Sequence, residues 1–541
     1  MKLLCDSKYI ILPVSHQAKK KSLKFYENNT LIYDLQVELD FINPDVKFYL
    51  NIERFEGKEI ELISEPNINL KIEKSNFKYL GEEIYMGKYR SEFHFSSQRG
   101  WLNDPNGLFY YNSEYHMFYQ HNPVGCKWGN MHWGHAVSKD LVHWEEKEIA
   151  LYPDELGTIF SGSAIVDTKN VTGLKENEND VILLFYTAAG GDNSELSKSQ
   201  HFTQCLAYSI DGGNTFKKYS KNPIVPLIES GNRDPKIIYD SETNIYIMAL
   251  YLAEFRFVLL TSINLLDWKQ IQEITLQDDR ECPDFYPLPV DDDNKNIKWV
   301  LSGACDKYLL GSFDGNKFNH ETQTKRLHYG KNSYAAQSWS DVSTEDARRI
   351  RIAWNTFDIP SMPYNMAMNF PCEMKLKTFS DEVFLCTYPV KEIENIYGES
   401  FNAQNICLSS DEEYTKTMTE KLYDITFNIF CANKGSFVIS VFGLEIHGNI
   451  DKNELSCLGN SAPLESFDNS IDLRMLIDVN NIEIFINMGK AFMSIGHIQD
   501  YNINRLVFKS INKAIVLKEI NIVEIKNIWN KEDYSIKINK Q

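Results

Sequence analysis

Three acidic residues of this chain lie close to a proline, in settings that could hold a carboxylate in a pocket. Asp104 lies in the segment WLNDPNG, Asp234 follows Arg233 in GNRDPK, and Glu281 precedes Cys282 in RECPDFY. Because proline restricts the backbone of its neighbours, we expect each of the three at a strand end or a turn. Carboxylates held in this way can act as nucleophiles, as proton donors or as acceptors for hydroxyl groups.

Two such carboxylates suffice for glycoside hydrolysis. One is ionised and attacks the anomeric carbon, while the other is protonated, gives its proton to the leaving oxygen and later activates water. Their pKa values must differ, which burial of the acid near other negative groups can achieve. A third carboxylate can bind sugar hydroxyls. Since the chain has 75 acidic residues, spacing alone does not distinguish such a trio from three ordinary turns.

The elements that would position these residues are strands. Hydrophobic residues alternate with polar ones in Leu31–Leu39 and in Ile482–Met488, and short strand-like runs are separated by Gly, Asn and Asp throughout. Long helical periodicity is almost absent. The pattern therefore predicts an all-β chain.

A weak repeat occurs in the middle of the chain. Turn residues are followed a few positions later by a large aromatic at Trp144, Phe216, Trp268 and Phe318, about 72, 52 and 50 residues apart. Repeats of about 50 residues, each built of several short strands, are typical of propeller blades.

Three regions follow from composition and pattern. Residues 1–88 form a β-rich leader, residues 89–385 contain the repeats and nearly all the tryptophans, and residues 390–541 contain hairpins that suggest a β-sandwich. A chain of 541 residues is long enough for several domains.

The overall charge limits the kinds of partner. The formal net charge is −19, which argues against nucleic acid and anionic membranes, because both are polyanions. The ten cysteines form no CxxC pair, the first residues lack the apolar core of a secretory signal, and no run is apolar enough for a membrane helix. These features predict a cytoplasmic protein.

Six motifs, in order along the chain, resemble those of glycoside hydrolase family 32, the β-fructosidases. They are FHFSSQRGWLNDPNGL, MFYQHNP, KWGNMHWGHAVSKDLVHW, IFSGSAIVD, NRDPK and ECPDFYPL, and later segments such as YAAQSW, RIAWN and LRMLIDVNNIEIFIN are also similar. The resemblance extends from about residue 93 to the C-terminus. It implies a five-bladed β-propeller followed by a β-sandwich, with retaining chemistry and without a metal or another cofactor.

The resemblance also implies a role for each carboxylate. Asp104 would be the nucleophile that forms a fructosyl-enzyme ester, Glu281 the general acid and base, and Asp234 the transition-state stabiliser. Retention requires the Asp104 and Glu281 carboxyls to lie roughly 5–5.5 Å apart. Arg233 should pair with a carboxylate and help to set the pKa of Glu281. The expected substrate-binding residues are Asn103, Gln120, Trp128, Phe160, Ser161, Arg233, Tyr334 and Trp354.

Other motifs have simpler interpretations than a metal or a second nucleophile. His132 and His135 have a spacing that suits a shared metal only on a helix, and their surroundings favour a strand. The acidic run at 291–296 lacks the glycine and distal glutamate of a calcium loop. Cys282 has no histidine near it in sequence, so we expect it to influence its neighbours rather than to attack substrate.

The sequence therefore predicts an exo-acting β-fructosidase that releases terminal fructose from levan, inulin, fructo-oligosaccharides or sucrose. The alternatives are a sucrose-6-phosphate hydrolase, an inverting five-bladed enzyme that acts on arabinose-containing glycans, and a non-catalytic fructan-binding propeller. The leader of about 88 residues has no counterpart in the resemblance. The N-terminal and C-terminal β domains are the candidate surfaces for a homo-oligomer.

Overall fold

Antiparallel β-strands make up nearly all of the regular structure, so the prediction of an all-β chain is confirmed. The structure, a computed structural model, describes residues 1–79, 85–191, 193–342, 346–359 and 362–529. Within these ranges the only helices are the 3-10 turns Glu53–Phe55 and Lys391–Ile396. Neither is long and apolar enough to cross a membrane.

The strands before residue 80 form two sheets, here called the N-terminal sheets, around one apolar core. The alternation predicted for Leu31–Leu39 is realised in Thr30–Val37, which is the last strand of the first sheet, with one edge that no other strand of the described residues pairs with. In spatial order the first sheet contains Lys2–Leu4, Glu59–Glu65, Lys21–Glu27 and Thr30–Val37, and the second contains Val46–Asn51, Tyr9–Val14 and Glu73–Ser75.

Five groups of antiparallel strands follow, here called sheets 1 to 5. One parallel bridge, between Val290 and Leu376, joins sheet 4 to sheet 5. Sheet 1 contains Gly100–Tyr111, Glu114–Asn122, His132–Ser138 and Trp144–Glu146, with Tyr364–Asn365 parallel to its first strand. Sheet 2 contains Thr158–Asp167, Val181–Ala189, Thr203–Ser209 and Lys217–Lys218, and sheet 3 contains Arg233–Asp240, Ile245–Ala253, Arg256–Ser262 and Lys269–Thr275. Sheet 4 contains Asp284–Val290, Asp293–Ser302, Lys307–Phe313, Phe318–His320 and Lys325–Arg326, and sheet 5 contains Tyr334–Ser338, Arg349–Asn355, Ala367–Met368, Cys372–Phe379 and Glu382–Pro389.

The aromatic repeat of the sequence has a structural basis. Trp144 and Phe318 begin the fourth strands of sheets 1 and 4, and Phe216 and Trp268 immediately precede the fourth strands of sheets 2 and 3. The four aromatics therefore occupy equivalent places in successive sheets. All four belong to, or pack against, the apolar clusters that fill the space within and between these sheets.

The first strands of sheets 1 to 5 form a ring, in which each contacts the next and the fifth contacts the first. Polar groups link the inner strands: Lys236 Nζ donates to the Ser338 carbonyl at 2.6 Å, and Ser338 N donates to Asp284 Oδ2 at 2.7 Å. Burial lowers the pKa of Lys236 to about 8, although the Asp284 carboxylate 3.4 Å away opposes this change. A ring of curled sheets is compatible with the predicted propeller.

The C-terminal region contains two six-stranded sheets that share one large apolar core. The hairpins predicted around Ile482–Met488 are Ser470–Ile477, Asn481–Ile486 and Ala491–Gly496, adjacent in one sheet. The remaining strands of that sheet are Tyr397–Leu408, Ile515–Ile525 and Tyr423–Phe430, and the other sheet contains Glu413–Thr417, Arg505–Ser510, Ser436–Val441, Leu444–Asn449, Glu454–Cys457 and Asn460–Pro463.

A buried charge cluster joins this region to the segment before sheet 1. Asp478 accepts hydrogen bonds from the backbone N–H groups of residues 92–94 and lies 2.8 Å from His94 Nδ1, while His94 Nε2 lies 3.5 Å from Glu483 Oε1. Burial alone would lower the pKa of His94, but the two carboxylates outweigh it and raise the pKa to about 9. The histidine is therefore a cation between two carboxylates at neutral pH.

Candidate active site

One pocket at an end of the ring collects every residue that the sequence motifs predicted for catalysis or substrate binding. The space between them, including the open mouth, is about 620 Å³. It is lined by Asn103, Asp104, Gln120, Trp128, Phe160, Ser161, Arg233, Asp234, Glu281, Tyr334 and Trp354. These side chains come from sheets 1, 2, 3 and 5, from the loop between the second and third strands of sheet 1, and from the segment that precedes sheet 4.

Asp104 lies inside the strand Gly100–Tyr111, not at a turn as its Asn-Asp-Pro-Asn-Gly setting predicts. The chain stays in the sheet because the pairing with the next strand shifts register between Leu102 and Pro105, which leaves Asp104 in a local bulge, and shifts again between Asn106 and Phe109. Asn106 supports the bulge: its Nδ2 donates to the Asp104 carbonyl at 3.0 Å, and its Oδ1 accepts from Gly162 N at 3.1 Å. The bulge turns the Asp104 carboxylate into the pocket.

Two neighbours hold one oxygen of Asp104. Ser161 Oγ donates to Oδ2 at 2.6 Å, and Cys282 Sγ lies 3.6 Å from the same oxygen. Ser161 sits at a bulge of its own, next to Gly162, where a Cβ atom would lie 1.9 Å from the Phe185 carbonyl oxygen. Burial raises the pKa of Asp104, and the hydrogen bonds from Ser161 and Asn103 partly offset that rise.

Asp234 is the most buried of the three carboxylates, with 6% of the residue exposed. Its φ of +67° lies in the left-handed region, at a bulge that begins the strand Arg233–Asp240. Its backbone N–H donates to Thr187 Oγ1 at 2.9 Å, and its Oδ2 accepts from Cys282 N at 3.0 Å. Burial, with repulsion from the other two carboxylates, raises the pKa of Asp234 to about 7.

Glu281 also has a left-handed backbone, with φ of +54°, and precedes the strand Asp284–Val290. Arg233 Nη2 donates to Oε1 at 2.6 Å, and the Tyr334 hydroxyl donates to Oε2. Burial would raise the pKa of Glu281, but the two hydrogen bonds and the charge of Arg233 lower it overall. The predicted pairing with Arg233 is present. The raised pKa expected of a general acid is absent, because both carboxylate oxygens receive a donor.

Cys282 lies between the other two carboxylates. Its Sγ is 3.6 Å from an oxygen of Asp104 and 3.6 Å from an oxygen of Asp234. Burial and the three nearby carboxylates raise the pKa of this thiol well above its usual value, so the sulfur is a protonated donor at neutral pH. A protonated thiol is a weak nucleophile. The structure therefore favours the expected role of Cys282, which is to influence the neighbouring carboxylates and not to attack substrate.

Some polar atoms of the pocket lack a partner. Gln120 Nε2 and Trp354 Nε1 are buried donors that form no hydrogen bond within the described residues. Asn103 Oδ1, in contrast, accepts from Trp101 Nε1 at 2.8 Å, which fixes the orientation of the Asn103 amide. Buried polar groups are rarely left unpaired, so these two donors lack the partner that their burial calls for.

Aromatic rings form the wall of the pocket. Trp128 is 48% exposed at the mouth, and its ring lies 6.0 Å from that of Phe160 in an edge-to-face arrangement. On the opposite side, Tyr334 and Trp354 are paired across sheet 5, with their ring centroids 6.2 Å apart. The wall is therefore apolar on two sides, whereas the carboxylates and amides form the base.

Several residues that shape the site were not predicted from the sequence. Trp101 orients Asn103, Asn106 supports the bulge at Asp104, and Thr187 accepts from the backbone of Asp234. Trp101 and Asn106 lie within the first motif, so their position could have suggested a role. Thr187 lies in a plain strand sequence, and no local pattern distinguishes it.

The two histidines considered as metal ligands have other contacts. His132 Nε2 lies 2.6 Å from the Tyr33 hydroxyl, and His135 Nε2 lies 3.1 Å from His116 Nδ1. No group of three His, Cys, Asp or Glu side chains in the described parts of the chain is arranged to hold a metal ion.

Comparison with known proteins assigns the family. The sequence model described as "Glycosyl hydrolases family 32 N-terminal domain" matches residues 94–389, which include all three carboxylates and the whole pocket lining. The chain belongs to glycosyl hydrolase family 32. This family 32 protein is therefore a glycoside hydrolase.

Two curated relatives illustrate how far the likeness of the family 32 chain extends. It is 33% identical over 496 residues to a levanase of Bacillus subtilis (strain 168), an alignment that covers 82% of this chain and 72% of the relative. It is 31% identical over 429 residues to an extracellular exo-inulinase of Aspergillus awamori, which covers 69% of this chain and 78% of the relative. The cytoplasmic location expected from the sequence stays a prediction, and this second relative is named as an extracellular enzyme.

Solved structures show the same similarity. The crystal structure of the exo-inulinase from Aspergillus awamori aligns with a TM-score of 0.73 and 25% identity, covering 82% of this chain and 100% of that one. A β-fructofuranosidase from Schwanniomyces occidentalis, complexed with fructosyl-erythritol, aligns with a TM-score of 0.72 and 25% identity, covering 82% of this chain and 98% of that one.

Proposed function

We propose that this protein is a retaining exo-β-fructosidase, which releases terminal β-D-fructose from levan, inulin, fructo-oligosaccharides or sucrose. The observation that carries the proposal is the convergence of Asp104, Asp234 and Glu281 in one pocket. The names of the relatives, a levanase and an exo-inulinase, support fructans as the substrate class. A pocket with a buried base suits the end of a chain better than its middle.

In the first step, Asp104 would attack the anomeric carbon of the terminal fructosyl unit. Ser161 and Cys282 both contact Oδ2, so we assign the attack to Oδ1. The glycosidic bond to the leaving oxygen breaks, and Glu281 supplies that oxygen with a proton. In the second step, Glu281 takes a proton from water, the resulting hydroxide attacks the same carbon, and the ester bond to Asp104 breaks.

The proton on Glu281 must arrive before the first step. With Arg233 and Tyr334 bound to it, this carboxyl has a lowered pKa, whereas the pKa of Asp234 is raised to about 7. Substrate that fills the pocket would remove water from around Glu281 and so raise its pKa towards that of a general acid. Asp234, once ionised, would accept hydrogen bonds from fructose hydroxyls and favour the positive charge of the transition state.

The other lining residues suit a furanose ring. The free donors Gln120 Nε2 and Trp354 Nε1 can each bond a hydroxyl or ring oxygen. Trp128 and Phe160 offer apolar surface on the side of the mouth, where the leaving part of the substrate would lie. Arg233 has a different role in this proposal, because its contact with Glu281 sets the charge of the acid rather than binding sugar.

The family fold completes the proposal. Sheets 1 to 5 would be the blades of a five-bladed propeller, supported by the closed ring of their first strands. The two C-terminal sheets, which share one core, would be a β-sandwich. We keep the domain limits 1–88, 89–385 and 390–541, of which residues 80–84, 192, 343–345, 360–361 and 530–541 lie outside the described ranges. Association of the chain with itself stays a prediction.

The test is a substrate panel of sucrose, sucrose 6-phosphate, levan, inulin and an arabinan, with free sugar measured and the first product followed by proton NMR. Release of β-fructose before it equilibrates in solution supports a retaining fructosidase. Initial α-fructose would mean inversion, and a strong preference for the phosphate ester or for arabinan would mean another substrate. Binding without release from any β-fructoside would leave only a carbohydrate-binding role.

A further inference from the structure

The unpaired edge of the first N-terminal sheet is occupied by a side chain of the catalytic region. Gln36, near the end of the strand Thr30–Val37, donates its backbone N–H to Asn130 Oδ1 at 2.8 Å and accepts from Asn130 Nδ2 at 2.8 Å. The amide of Asn130 therefore pairs with both backbone groups of Gln36, as a neighbouring strand would. The backbone of Asn130 has φ of +47°, a conformation that asparagine tolerates well.

Further contacts from the same strand hold the backbone of Asn130. His132 Nδ1 lies 2.5 Å from the Asn130 carbonyl oxygen, and its Nε2 lies 2.6 Å from the Tyr33 hydroxyl. Burial lowers the pKa of His132 well below its usual value, so the ring is neutral, with one nitrogen donating and the other accepting. Tyr33 thereby fixes His132, which in turn fixes Asn130.

The segment 123–131, here called the Trp128 loop, is held at its other end as well. Val124 is fully buried in the apolar core of the N-terminal sheets, and Cys126 packs against the same core. Lys127 Nζ lies 3.8 Å from Glu38, two residues beyond Gln36. Trp128, at the pocket mouth, is therefore placed between two attachments to the N-terminal sheets.

The same strand holds a second segment beside the pocket. Asp34 accepts hydrogen bonds from Ser194 Oγ, from Glu195 N at 3.0 Å and from Leu196 N at 3.3 Å. This segment leads to Phe202, whose ring lies 5.5 Å from Phe160. Trp128 and Phe202 therefore approach Phe160 from segments that both depend on the strand Thr30–Val37.

We propose that the edge strand Thr30–Val37 positions the aromatic wall of the pocket and so sets the affinity for the leaving side of the substrate. Asn130 and Asp34 are positioning residues in this view, since they act through Trp128 and Phe160. The strand contacts sheet 1 at His132, but none of its hydrogen bonds in the described residues reaches Asp104, Asp234 or Glu281. The inference rests on the proposed fructosidase function only for the identity of the substrate.

The test variant is Asn130→Gly, because glycine accepts the backbone conformation and only the amide is lost. The matched control is Asn29→Gly, which has φ of +64° in the exposed turn that opens the same strand. We expect Asn130→Gly to raise KM for the best substrate of the panel roughly threefold to tenfold with little change in kcat, and Asn29→Gly to match the wild type.

Two further measurements separate positioning from a general loss of structure. In a Trp128→Ala background, Asn130→Gly should have almost no further effect on KM, because the side chain through which it acts is gone. Hydrogen exchange, which needs no substrate, should speed up across residues 123–131 in Asn130→Gly and across residues 193–202 in Asp34→Asn, with sheet 3 unchanged.

An unchanged KM in Asn130→Gly, full additivity with Trp128→Ala, or unchanged exchange in residues 123–131 would overturn the inference. A wild-type protein that hydrolyses no β-fructoside would overturn the proposed function instead. In that case the exchange experiment still decides whether the strand positions the Trp128 loop.

Discussion

The proton on Glu281 can be tested by removing a single atom, the hydroxyl oxygen of Tyr334. The Tyr334 hydroxyl donates to the Glu281 carboxylate, and with Arg233 it keeps the pKa of Glu281 below its usual value despite burial. A hydrogen bond to a charged group contributes roughly 1.5–3 kcal/mol, and one pH unit corresponds to about 1.4 kcal/mol. The substitution Tyr334→Phe should therefore raise the pKa of Glu281 by about 1 to 2 pH units.

The assay is the pH dependence of kcat/KM at constant ionic strength, measured with the best substrate of the panel. A general acid must carry its proton, so the alkaline limb of the profile should move upward by about 1 to 2 pH units in Tyr334→Phe, whatever happens to the maximal rate. Tyr251→Phe is the matched control, because the Tyr251 ring lies 4.6 Å from the Arg233 guanidinium while its hydroxyl donates to the Glu254 carbonyl at 3.3 Å. An alkaline limb that stays in place, or moves down, would refute the reasoning.

Three further predictions concern the catalytic carboxylates and the buried histidine. Asp104→Ala should lower kcat by several orders of magnitude with an unchanged melting temperature, because the covalent route is lost; a rate near that of the wild type would contradict the assignment. Asp234→Asn should stabilise the protein increasingly as pH rises from about 4 to 7, by at most about 4 kcal/mol, because the folded state keeps the proton up to a pKa of about 7 and then bears a buried charge. Thermal melts check this: if the reasoning is incorrect, the difference in melting temperature between Asp234→Asn and the wild type will not change with pH, as is expected for the exposed control Asp451→Asn. For His94→Gln the loss of stability should be greatest below pH 6.5 and should shrink as pH passes about 9, which is the pKa of His94 in the folded protein. A loss of stability that instead grows with pH would exclude the buried ion pair.

Much of the candidate site could be predicted because each motif carries its chemistry in a few consecutive residues. The segments around Asp104, Asp234 and Glu281 are recognisable one at a time, and the lining residues Trp128 and Ser161 lie in motifs of their own. Alternation of polar and apolar residues was enough for the fold class, since it reports which face of a strand is buried. The spacing of the aromatics likewise indicated successive sheets of similar build.

Properties that depend on distant strands could not be predicted in the same way. The Asn-Asp-Pro-Asn-Gly segment reads as a turn, yet Asp104 lies inside a strand, because Asn106 and the backbone of sheet 2 stabilise a bulge there. The lowered pKa of Glu281 depends on Tyr334, which is 53 residues further along the chain. A pKa is set by every charge and donor within a few ångströms, and sequence distance says little about which these are.

The sequence by itself determined which residue types are available to the pocket, the strand character of the chain and its family. Only the tertiary structure decided that Asn130 pairs with the edge of the N-terminal sheet, because a backbone edge satisfied by a side-chain amide leaves no pattern in either segment. It also decided which carboxyl holds a proton more readily, since burial and the neighbouring carboxylates raise the pKa of Asp234, whereas the hydrogen bonds from Tyr334 and Arg233 lower the pKa of Glu281. Both outcomes arise from groups that meet only after the chain has folded.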